Sequence, residues 1–363
     1  MSHAGRTAPV AITAAVSVSA VPDDSLETLI FRAARAALEA AGLDRTDLDG
    51  VVLAASDQTD GRAISSMLTS GPAGAYLNDE INTASSPGHA LALGCMQILS
   101  GVHNRLLISS WGKSSESPKG SQPAERLSAE PFFERDGGSS ALAAAAMQAE
   151  RHRAADPARG AHAAAIVAAR NHGERDLAEI EASPVVASPL RALELPTEID
   201  TAFSIMLECP GRIAPLANVS GVGWCSDSSR IAERDLVGLP HLVLAGADAY
   251  ARAGLGPADI GSWHLHDYTP DAEMLAYAAL GLCPQGGGID LALSGAVDRG
   301  GQFVINPDGG SVRGEAPFGG VLGKVVDAIR AVSAAGGPEH ALAHLTTGFA
   351  GQFQTVAIVE RSA

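Results

Sequence analysis

Two segments of the chain repeat the same order of apolar and polar positions. Residues 37–53 (ALEAAGLDRTDLDGVVL) and residues 249–265 (AYARAGLGPADIGSWHL) each combine an alanine-rich helical stretch, an Ala-Gly-Leu sequence, an aspartate and a final apolar run. Gly42 and Gly254 stand where the helical pattern ends and can adopt a positive φ without strain. The pattern predicts one helix–turn–strand unit in each half of the chain, with a chance match of two common helix endings as the alternative.

The first half carries further helical and strand patterns. Apolar residues recur at helical spacing from Leu26 to Ala37, and Asp24 and Glu27 predict a capping box at the start of this stretch. Together they indicate a helix over 24–41. The other elements predicted for this half are strands over 8–19, 50–55, 105–110 and 201–208 and a helix over 86–101.

Residues 112–185 differ in character from the segments around them. A polar stretch rich in Gly, Pro and Ser opens this part, and alanine-rich helical patterns over 139–152 and 159–171 follow. Because a long insertion between two strands is commonly functional, the sequence predicts a lid that covers a substrate site.

The second half repeats the order of the first. Its predicted helices cover 239–253, 271–280 and 320–334, and its predicted strands cover 213–223, 260–266, 302–305, 340–347 and 353–360. Strands joined through long helical crossovers predict an α/β fold with mixed, mostly parallel sheets covered by helices. We therefore expect two halves, residues 1–211 with the lid inserted at about 112–185, and residues 212–363.

The composition excludes several classes of protein. The 363 residues include 25 Lys and Arg and 41 Asp and Glu, which gives a net charge of −16. The sequence contains no cluster of basic residues, so nucleic acid is not an expected partner. The four cysteines lack the spacing of a disulfide framework or a zinc site, and no metal is expected. No apolar run reaches the about 18 residues of a membrane span, and the first residues lack a cleavable leader pattern. These features predict a cytoplasmic protein with no membrane partner.

Several short sequences together resemble one family of enzymes. They are NTASSPG (82–88) at the start of a small-residue helix, RNH (170–172), HDYTPDAEMLAYAALGLCPQGGG (266–288), NPDGG (306–310) and TTGFAGQF (346–353). In this order, over nearly the whole chain, they are similar to thiolases of the sterol-carrier-protein type. The resemblance implies a thiolase-like fold, with duplicated βαβ halves in a layered α/β/α/β/α arrangement and a lid insertion.

The chain departs from this family at two catalytic positions. Similar thiolases carry a nucleophilic cysteine in an N-x-x-C-x-x-G sequence at the start of the buried helix, and this chain has Ser85 there. Ala316 replaces the histidine of the family's G-H-P-x-G turn, and a second cysteine of related enzymes would fall near Thr346. Since a serine hydroxyl is far more basic than a thiol, Ser85 needs a general base before it can act as a nucleophile.

The resemblance leaves His266 as the candidate base. Similar enzymes use this position to bind an oxyanion, and a structural histidine at a strand end is the alternative interpretation. For His89 a structural role is favoured, because Ser86 and Pro87 predict the N-cap and first position of the helix and leave Ser85 outside its regular turn. The remaining candidates for binding a substrate or an oxyanion are Asp267, Tyr268, Asn306, Gly348 and His172.

Three functions are compatible with these residues. In the first, an acyltransferase, Ser85 accepts the acyl group of an acyl-CoA or an acyl carrier protein, so that a coenzyme A or phosphopantetheine thioester is the substrate and no cofactor is tightly bound. The second is a thiolase-fold aldolase or lyase acting on an acyl-CoA with an OB-type partner subunit. Such enzymes use tyrosines, and Tyr268 is present although the EAPFGG turn has none. The third is a catalytically silent subunit in which Ser85 fills the space of a cysteine.

The resemblance also implies a dimer. A homodimer is expected, with a heterodimer containing an active thiolase-like chain as the alternative. Strand 105–110 (RLLISS) has a continuous apolar centre and is the candidate edge for this pairing.

Overall fold

The computed structural model describes residues 9–62, 64–117, 126–173 and 175–362. Within these ranges most strands belong to one mixed sheet. The strands of this sheet are β1 (Val10–Ser19), β2 (Gly50–Ala54), β3 (Asp79–Asn82), β4 (Arg105–Gly112), β7 (Thr201–Glu208), β8 (Ala217–Ser226), β9 (Ser262–Leu265), β10 (His340–Thr347) and β11 (Phe353–Arg361), in the order β3-β2-β4-β7-β1-β8-β11-β10-β9. A separate hairpin pairs β5 (Val185–Ala187) with β6 (Leu190–Arg191).

The helices of the described ranges fall into a long set and a short set. The long helices are α1 (Leu26–Ala41), α4 (Pro87–Leu99), α5 (Ala141–Arg153), α6 (Pro157–His172), α8 (Pro240–Ala253), α9 (Pro270–Ala279) and α11 (Gly323–Ser333). The short helices are α2 (Asp57–Asp60), α3 (Ser66–Thr69), α7 (Leu177–Ala182) and α10 (Gly288–Leu293). None of the described helices combines the length and apolar character needed to cross a membrane.

The two halves of the sheet follow the same strand order. From the centre outward, β1-β7-β4-β2-β3 form one half and β8-β11-β10-β9 the other, and they join where Val10–Ile12 pair with Ala217–Val219. Helices α1 and α8 follow β1 and β8, and both end at a left-handed glycine, Gly42 at φ 67° and Gly254 at φ 70°. Each of these helices therefore leads into its strand as the repeated segments predict. A division of the chain at 211/212 stays a prediction.

Three apolar clusters define the layers. The first packs α1 against one face of the N-terminal strands. The second fills the space between the two half-sheets with α4 and α11. The third packs α8 and α9 on the outer face of the C-terminal strands. The sequence of layers is therefore α/β/α/β/α, as the resemblance implies.

The expectation of mostly parallel strands is wrong. Parallel pairing within the described sheet is confined to β2 with β3, β2 with β4 and β9 with β10. The remaining neighbours are antiparallel because β1 and β8 occupy the centre and run against β7 and β11, and because a short turn folds β11 directly back on β10.

Three local predictions differ from the structure, and one strand was not predicted. The predicted strand 302–305 contributes one bridge, from Ile305 to Trp263, and β3 was not predicted. Ser25 rather than Asp24 caps α1, since the Asp24 carboxylate turns back to the Val21 N–H. The predicted edge 105–110 lies inside β4 between β2 and β7, so β3 is the edge strand of the described N-terminal half.

Candidate functional site

A cavity of about 250 Å³ lies at the carboxyl ends of β9 and β10. Helix α5 from the lid insertion, the segment 315–321 and the turn between β10 and β11 contribute to its walls. Several ionisable or hydrogen-bonding side chains share these walls with apolar ones. The polar lining includes Gln148, His266, Tyr268, Glu315, His344, Thr346, Thr347 and Gln354, and the apolar lining includes Ala141, Leu142, Ala145, Leu195, Leu239, Pro317, Phe318, Val321 and Phe349.

His266 and Glu315 form a close pair in the cavity wall. His266 follows β9, and its backbone N–H donates to the carbonyl of His344 at 3.1 Å, which holds it beside β10. Its Nε2 lies 2.5 Å from Glu315 Oε1. The His266 Nδ1 and Glu315 Oε2 atoms are buried and have no hydrogen-bond partner among the described residues. When Nε2–H donates to the carboxylate, Nδ1 keeps its lone pair and can accept a proton.

Two further buried polar atoms lie on the neighbouring strand. His344 and Thr346 are two positions apart on β10 and therefore lie on the same face of the strand, and both line the cavity. His344 Nδ1 and Thr346 Oγ1 have no hydrogen-bond partner among the described residues. Buried polar groups are normally paired, so these atoms mark the cavity wall as a place that suits a polar ligand.

Ser85 lies at the start of α4, one residue before the N-cap Ser86. Its Oγ is 3.0 Å from His89 Nδ1, and its carbonyl accepts a hydrogen bond of 2.7 Å from Thr347 Oγ1. The side chain folds back over the first turn of the helix and so reaches His89, although Ser85 lies outside the regular turn as Ser86 and Pro87 predict. Burial lowers the pKa of His89, so its imidazole is neutral and able to accept a proton from the hydroxyl.

Ser85 adjoins the cavity through Thr347 without being one of its lining residues. Thr347 belongs to the cavity lining and bonds the Ser85 carbonyl, whereas Ser85 and His89 are absent from the described lining. His266 therefore faces Glu315, and Ser85 faces His89. The predicted pairing of Ser85 with His266 as its base has no contact to support it.

Asp267 and Asn306 belong to a buried polar network outside the cavity lining. Asp267 accepts hydrogen bonds from Asn171 Nδ2 at 2.7 Å and Lys324 Nζ at 3.1 Å. Although burial opposes the charged ammonium, the Asp267 carboxylate raises the pKa of Lys324. Asn306 accepts from the Leu265 N–H at 2.9 Å, which fixes the end of β9. Both side chains thus hold His266 in place indirectly, through the segment on either side of it.

The remaining predicted positions divide between the cavity and the core. Tyr268 and Gly348 line the cavity. The Nε2 of His172 bonds the Leu193 carbonyl at 2.9 Å, a contact between the lid insertion and the segment that follows it. Ala316 is fully buried beside Glu315 and packs in the central apolar cluster, so no side chain there can act as a base.

Glu315 and His344 were not among the candidates from sequence. Glu315 directly precedes Ala316, but its partner lies 49 positions away, and no local pattern indicates that contact. His344 did carry a signal, because a histidine at an inward position of an apolar strand (HALAHLTT) is unusual for a core. In the described part of the chain, no three His, Cys, Asp or Glu side chains are grouped to hold a metal ion.

The chain is similar to several known proteins in sequence and in structure. Residues 223–361 match the model of the thiolase C-terminal domain-like family. The 17-hydroxy-3-oxo-4-pregnene-20-carboxyl-CoA lyase of Mycobacterium tuberculosis is 30% identical over 177 residues, 45% of each chain. The solved Ltp2-ChsH2(DUF35) aldolase has a TM-score of 0.79 at 21% identity and covers 98% of both chains. An SCP2-thiolase-like protein from Mycobacterium smegmatis has a TM-score of 0.72 at 16% identity, with 97% of this chain and 77% of that chain covered.

These likenesses differ in what they establish. The match to the Mycobacterium tuberculosis lyase spans less than half of that protein's length. The solved structures match nearly the whole chain and confirm the thiolase-like fold. The family match is confined to residues 223–361 and relates this C-terminal part of the chain to the thiolase C-terminal domain-like family.

Proposed function

We propose that this protein is a thiolase-fold lyase that cleaves a carbon–carbon bond in a 3-hydroxyacyl-CoA thioester. The observation that carries the proposal is the His266–Glu315 pair in the cavity wall, with His266 Nδ1 buried and unpartnered among the described residues. The names of two similar proteins, a carboxyl-CoA lyase and an aldolase, support the same class of reaction. A lyase of this kind needs a base but no covalent nucleophile, and so it tolerates Ser85 in place of a cysteine.

The proposed reaction is a retro-aldol cleavage. His266 Nδ1 takes the proton of the 3-hydroxyl group, and the oxygen electrons form the carbonyl of an aldehyde or ketone product. The electrons of the bond between carbons 2 and 3 move to the thioester as an enolate. The protonated His266 then returns the proton to carbon 2, which gives a shortened acyl-CoA without any further reactant. Glu315 orients the ring and stabilises its positive charge between the two steps.

The enolate oxygen needs a hydrogen-bond donor while it carries negative charge. Thr346 is a lining residue of the cavity, and its buried hydroxyl has no partner among the described residues. Its position two residues beyond His344 on β10 brings it to the same wall. We therefore assign Thr346 the role of donor to the thioester oxygen. The backbone at Gly348, also in the lining, is a second candidate donor.

Product analysis tests the lyase. The chain is incubated with a panel of 3-hydroxyacyl-CoA thioesters of increasing length, and both the shortened acyl-CoA and the carbonyl product are measured by mass spectrometry. We expect equimolar products, and a kcat lowered about 10²- to 10⁴-fold in His266→Gln and Glu315→Gln. Ser85→Ala is the matched control and should keep its kcat. A folded chain that cleaves none of the thioesters contradicts the proposal.

Acyl transfer through Ser85 is the second candidate. The observation that favours it is the 3.0 Å contact between Ser85 Oγ and His89 Nδ1, which pairs a hydroxyl with a neutral base. In this reaction the Ser85 oxygen attacks the thioester carbonyl, the hydroxyl proton passes to His89, and the thiol leaves after accepting that proton. A covalent acyl adduct should then appear in the intact mass of the protein and be absent from Ser85→Ala and His89→Phe. If neither cleavage nor an adduct occurs, the silent subunit remains as the function.

The chain is further proposed to pair with a second copy through β3. This strand forms the edge of the described N-terminal half-sheet. Exposed apolar side chains precede it in the chain, with Met67 80% and Leu77 89% accessible. An open strand edge and an exposed apolar patch are both features of protein interfaces. A thiolase-like paralogue or an OB-type subunit is the alternative partner, and the name of the Ltp2-ChsH2(DUF35) aldolase includes a second component.

A further inference from the structure

The His344 ring is held in one orientation by Gln354. The Gln354 side-chain N–H donates to the Gly351 carbonyl at 2.8 Å, which leaves its Oε1 to face His344 Nε2 at 2.7 Å. Because an amide oxygen can only accept, Nε2 carries the proton and Nδ1 carries the lone pair. Both side chains are 2% exposed. The geometry therefore presents Nδ1 as a fixed hydrogen-bond acceptor.

This acceptor is neutral. Burial lowers the pKa of His344 to about 4, although the Gln354 hydrogen bond favours the charged ring, and nearby His266, Lys324 and His241 lower it further. At neutral pH the ring therefore has no charge with which to attract an anion. A neutral, buried acceptor is complementary to a neutral donor such as a hydroxyl group.

The cavity around His344 is otherwise suited to a hydrocarbon group. Leu142, Ala145, Leu195 and Phe349 contribute apolar side chains to the same lining. An acyl chain that moves from water into this space loses no hydrogen bonds, except where it carries a polar group. A site that hydrogen-bonds a substrate hydroxyl rejects the analogue that lacks it, since its own buried polar atom is then left unpaired.

We propose that His344, positioned by Gln354, selects thioesters whose acyl group carries a hydroxyl beyond the carbon–carbon bond that reacts. The inference deepens the proposed function and rests on it for the thioester, while the selectivity itself rests on the unpartnered Nδ1. This hydroxyl differs from the one that His266 deprotonates, because the proposed reaction transfers the 3-hydroxyl proton to His266 and leaves that oxygen without a proton to donate to His344.

Equilibrium binding separates this selectivity from catalysis. Octanoyl-CoA and its 5-, 6- and 7-hydroxy derivatives lack a 3-hydroxyl, so the proposed reaction does not cleave them and titration calorimetry reports binding alone. We expect at least one hydroxy derivative to bind about tenfold more tightly than octanoyl-CoA. Equal affinity for all four thioesters, or no binding of any of them, overturns the proposal.

Three variants assign the preference to the ring. His344→Leu should bind octanoyl-CoA and the favoured hydroxy derivative equally, whereas His344→Asn, whose oxygen lies near the position of Nδ1, should recover part of the preference. His340→Leu is the matched control at the other end of β10 and should behave as the wild type. A hydroxyl preference that survives in folded His344→Leu contradicts the role of His344. Absence of cleavage together with an intact preference would instead remove only the lyase proposal.

Discussion

The Asp60 carboxyl shows how one buried group affects stability. It is 5% exposed, and both of its oxygens accept from the Trp111 indole N–H at 3.2 Å. Burial raises the pKa of Asp60 from 3.8 to about 6, which the Trp111 hydrogen bond only partly offsets. Between about pH 4 and 6 the native state holds a proton that the unfolded chain has lost, so this group lowers stability as the pH rises.

Asp60→Asn tests this dependence. The amide stays neutral and keeps an acceptor for Trp111, so at pH 7 the variant should exceed the wild type in unfolding free energy by about 2–3 kcal/mol. Near pH 4, where Asp60 is protonated in the native wild type, the difference should largely disappear. Urea unfolding at both pH values measures it. A difference that is equal at pH 4 and pH 7 contradicts the assignment, and Glu150→Gln on the exposed side of α5 serves as a control.

At the same scale, the residues of the candidate site can be located from the sequence better than their contacts. Ser85, His266 and Ala316 stand in short local motifs. Their partners do not, since Glu315 reaches His266 across 49 positions through the packing of two loops. The contact between Ser85 and His89 is local, but helix rules alone do not predict it, because the side chain of a residue before the N-cap turns back to the helix.

At the scale of elements, the sequence predicts helices and strands well where one apolar face is regular. The predicted limits of β7, 201–208, agree with the structure because that strand is a continuous buried run between polar ends. The short β3 (DEIN) carries no apolar pattern, since its side chains are mostly exposed, and it escaped prediction. Strand direction was also missed because it depends on which strands become neighbours, a property of the whole sheet.

Helix α4 depends on small residues at its start. A Cβ added to Gly88 would lie 2.5 Å from the Thr355 Cβ on β11. Gly88→Ala should therefore lower the unfolding free energy by about 1–3 kcal/mol, because the clash can be relieved only if α4 moves away from β11. Gly71→Ala is the matched control, with no atom within 4 Å of its added Cβ, and thermal unfolding compares the two. Equal effects at both glycines would contradict this packing argument.

At the scale of the whole molecule, a buried ionic group joins the lid to the C-terminal half. Arg153 at the end of α5 bonds Asp271 of α9 at 2.6 Å and Glu194 at 3.2 Å, and all three side chains are at most 3% exposed. The Arg153 charge compensates two buried carboxylates. The sequence predicts the lid as an insertion, but the residues of this anchor are 41 and 118 positions apart and carry no common motif.

Removal of Arg153 should loosen this junction. Arg153→Met removes the guanidinium that pairs with both buried carboxylates and leaves Asp271 with His152 alone, so it should lower the unfolding free energy by about 3–5 kcal/mol. Arg153→Met combined with Asp271→Asn should lose less than the two single changes together. Arg35→Met, which breaks an exposed pair with Glu39, is the control and should change stability by less than about 1 kcal/mol. An additive double variant in urea unfolding would contradict the network.

The surface through which the chain associates with a partner is the property that the sequence and the structure of a single chain define least. The apolar centre of β4 predicts a sheet edge, but β4 lies between β2 and β7. A strand inside a sheet that is covered on both faces is apolar because it is buried, and it has no free edge for pairing. The exposed strand β3 and the patch before it have the opposite pattern, charged on the strand and apolar beside it. Charges on an edge strand prevent indiscriminate pairing, and the neighbouring patch can supply affinity for a matched partner.

Met67→Glu with Leu77→Glu tests the proposed pairing. Two charges in the apolar patch should weaken self-association at least about tenfold, because each buried carboxylate in an interface would lack a partner. Sedimentation velocity over a concentration series measures the dimer fraction. Phe132→Glu is the matched control, since Phe132 is 79% exposed but lies in the lid insertion, away from β3 in the chain. If the wild type sediments as a monomer throughout, or if the control variant dissociates as readily as the double variant, β3 is not the pairing edge.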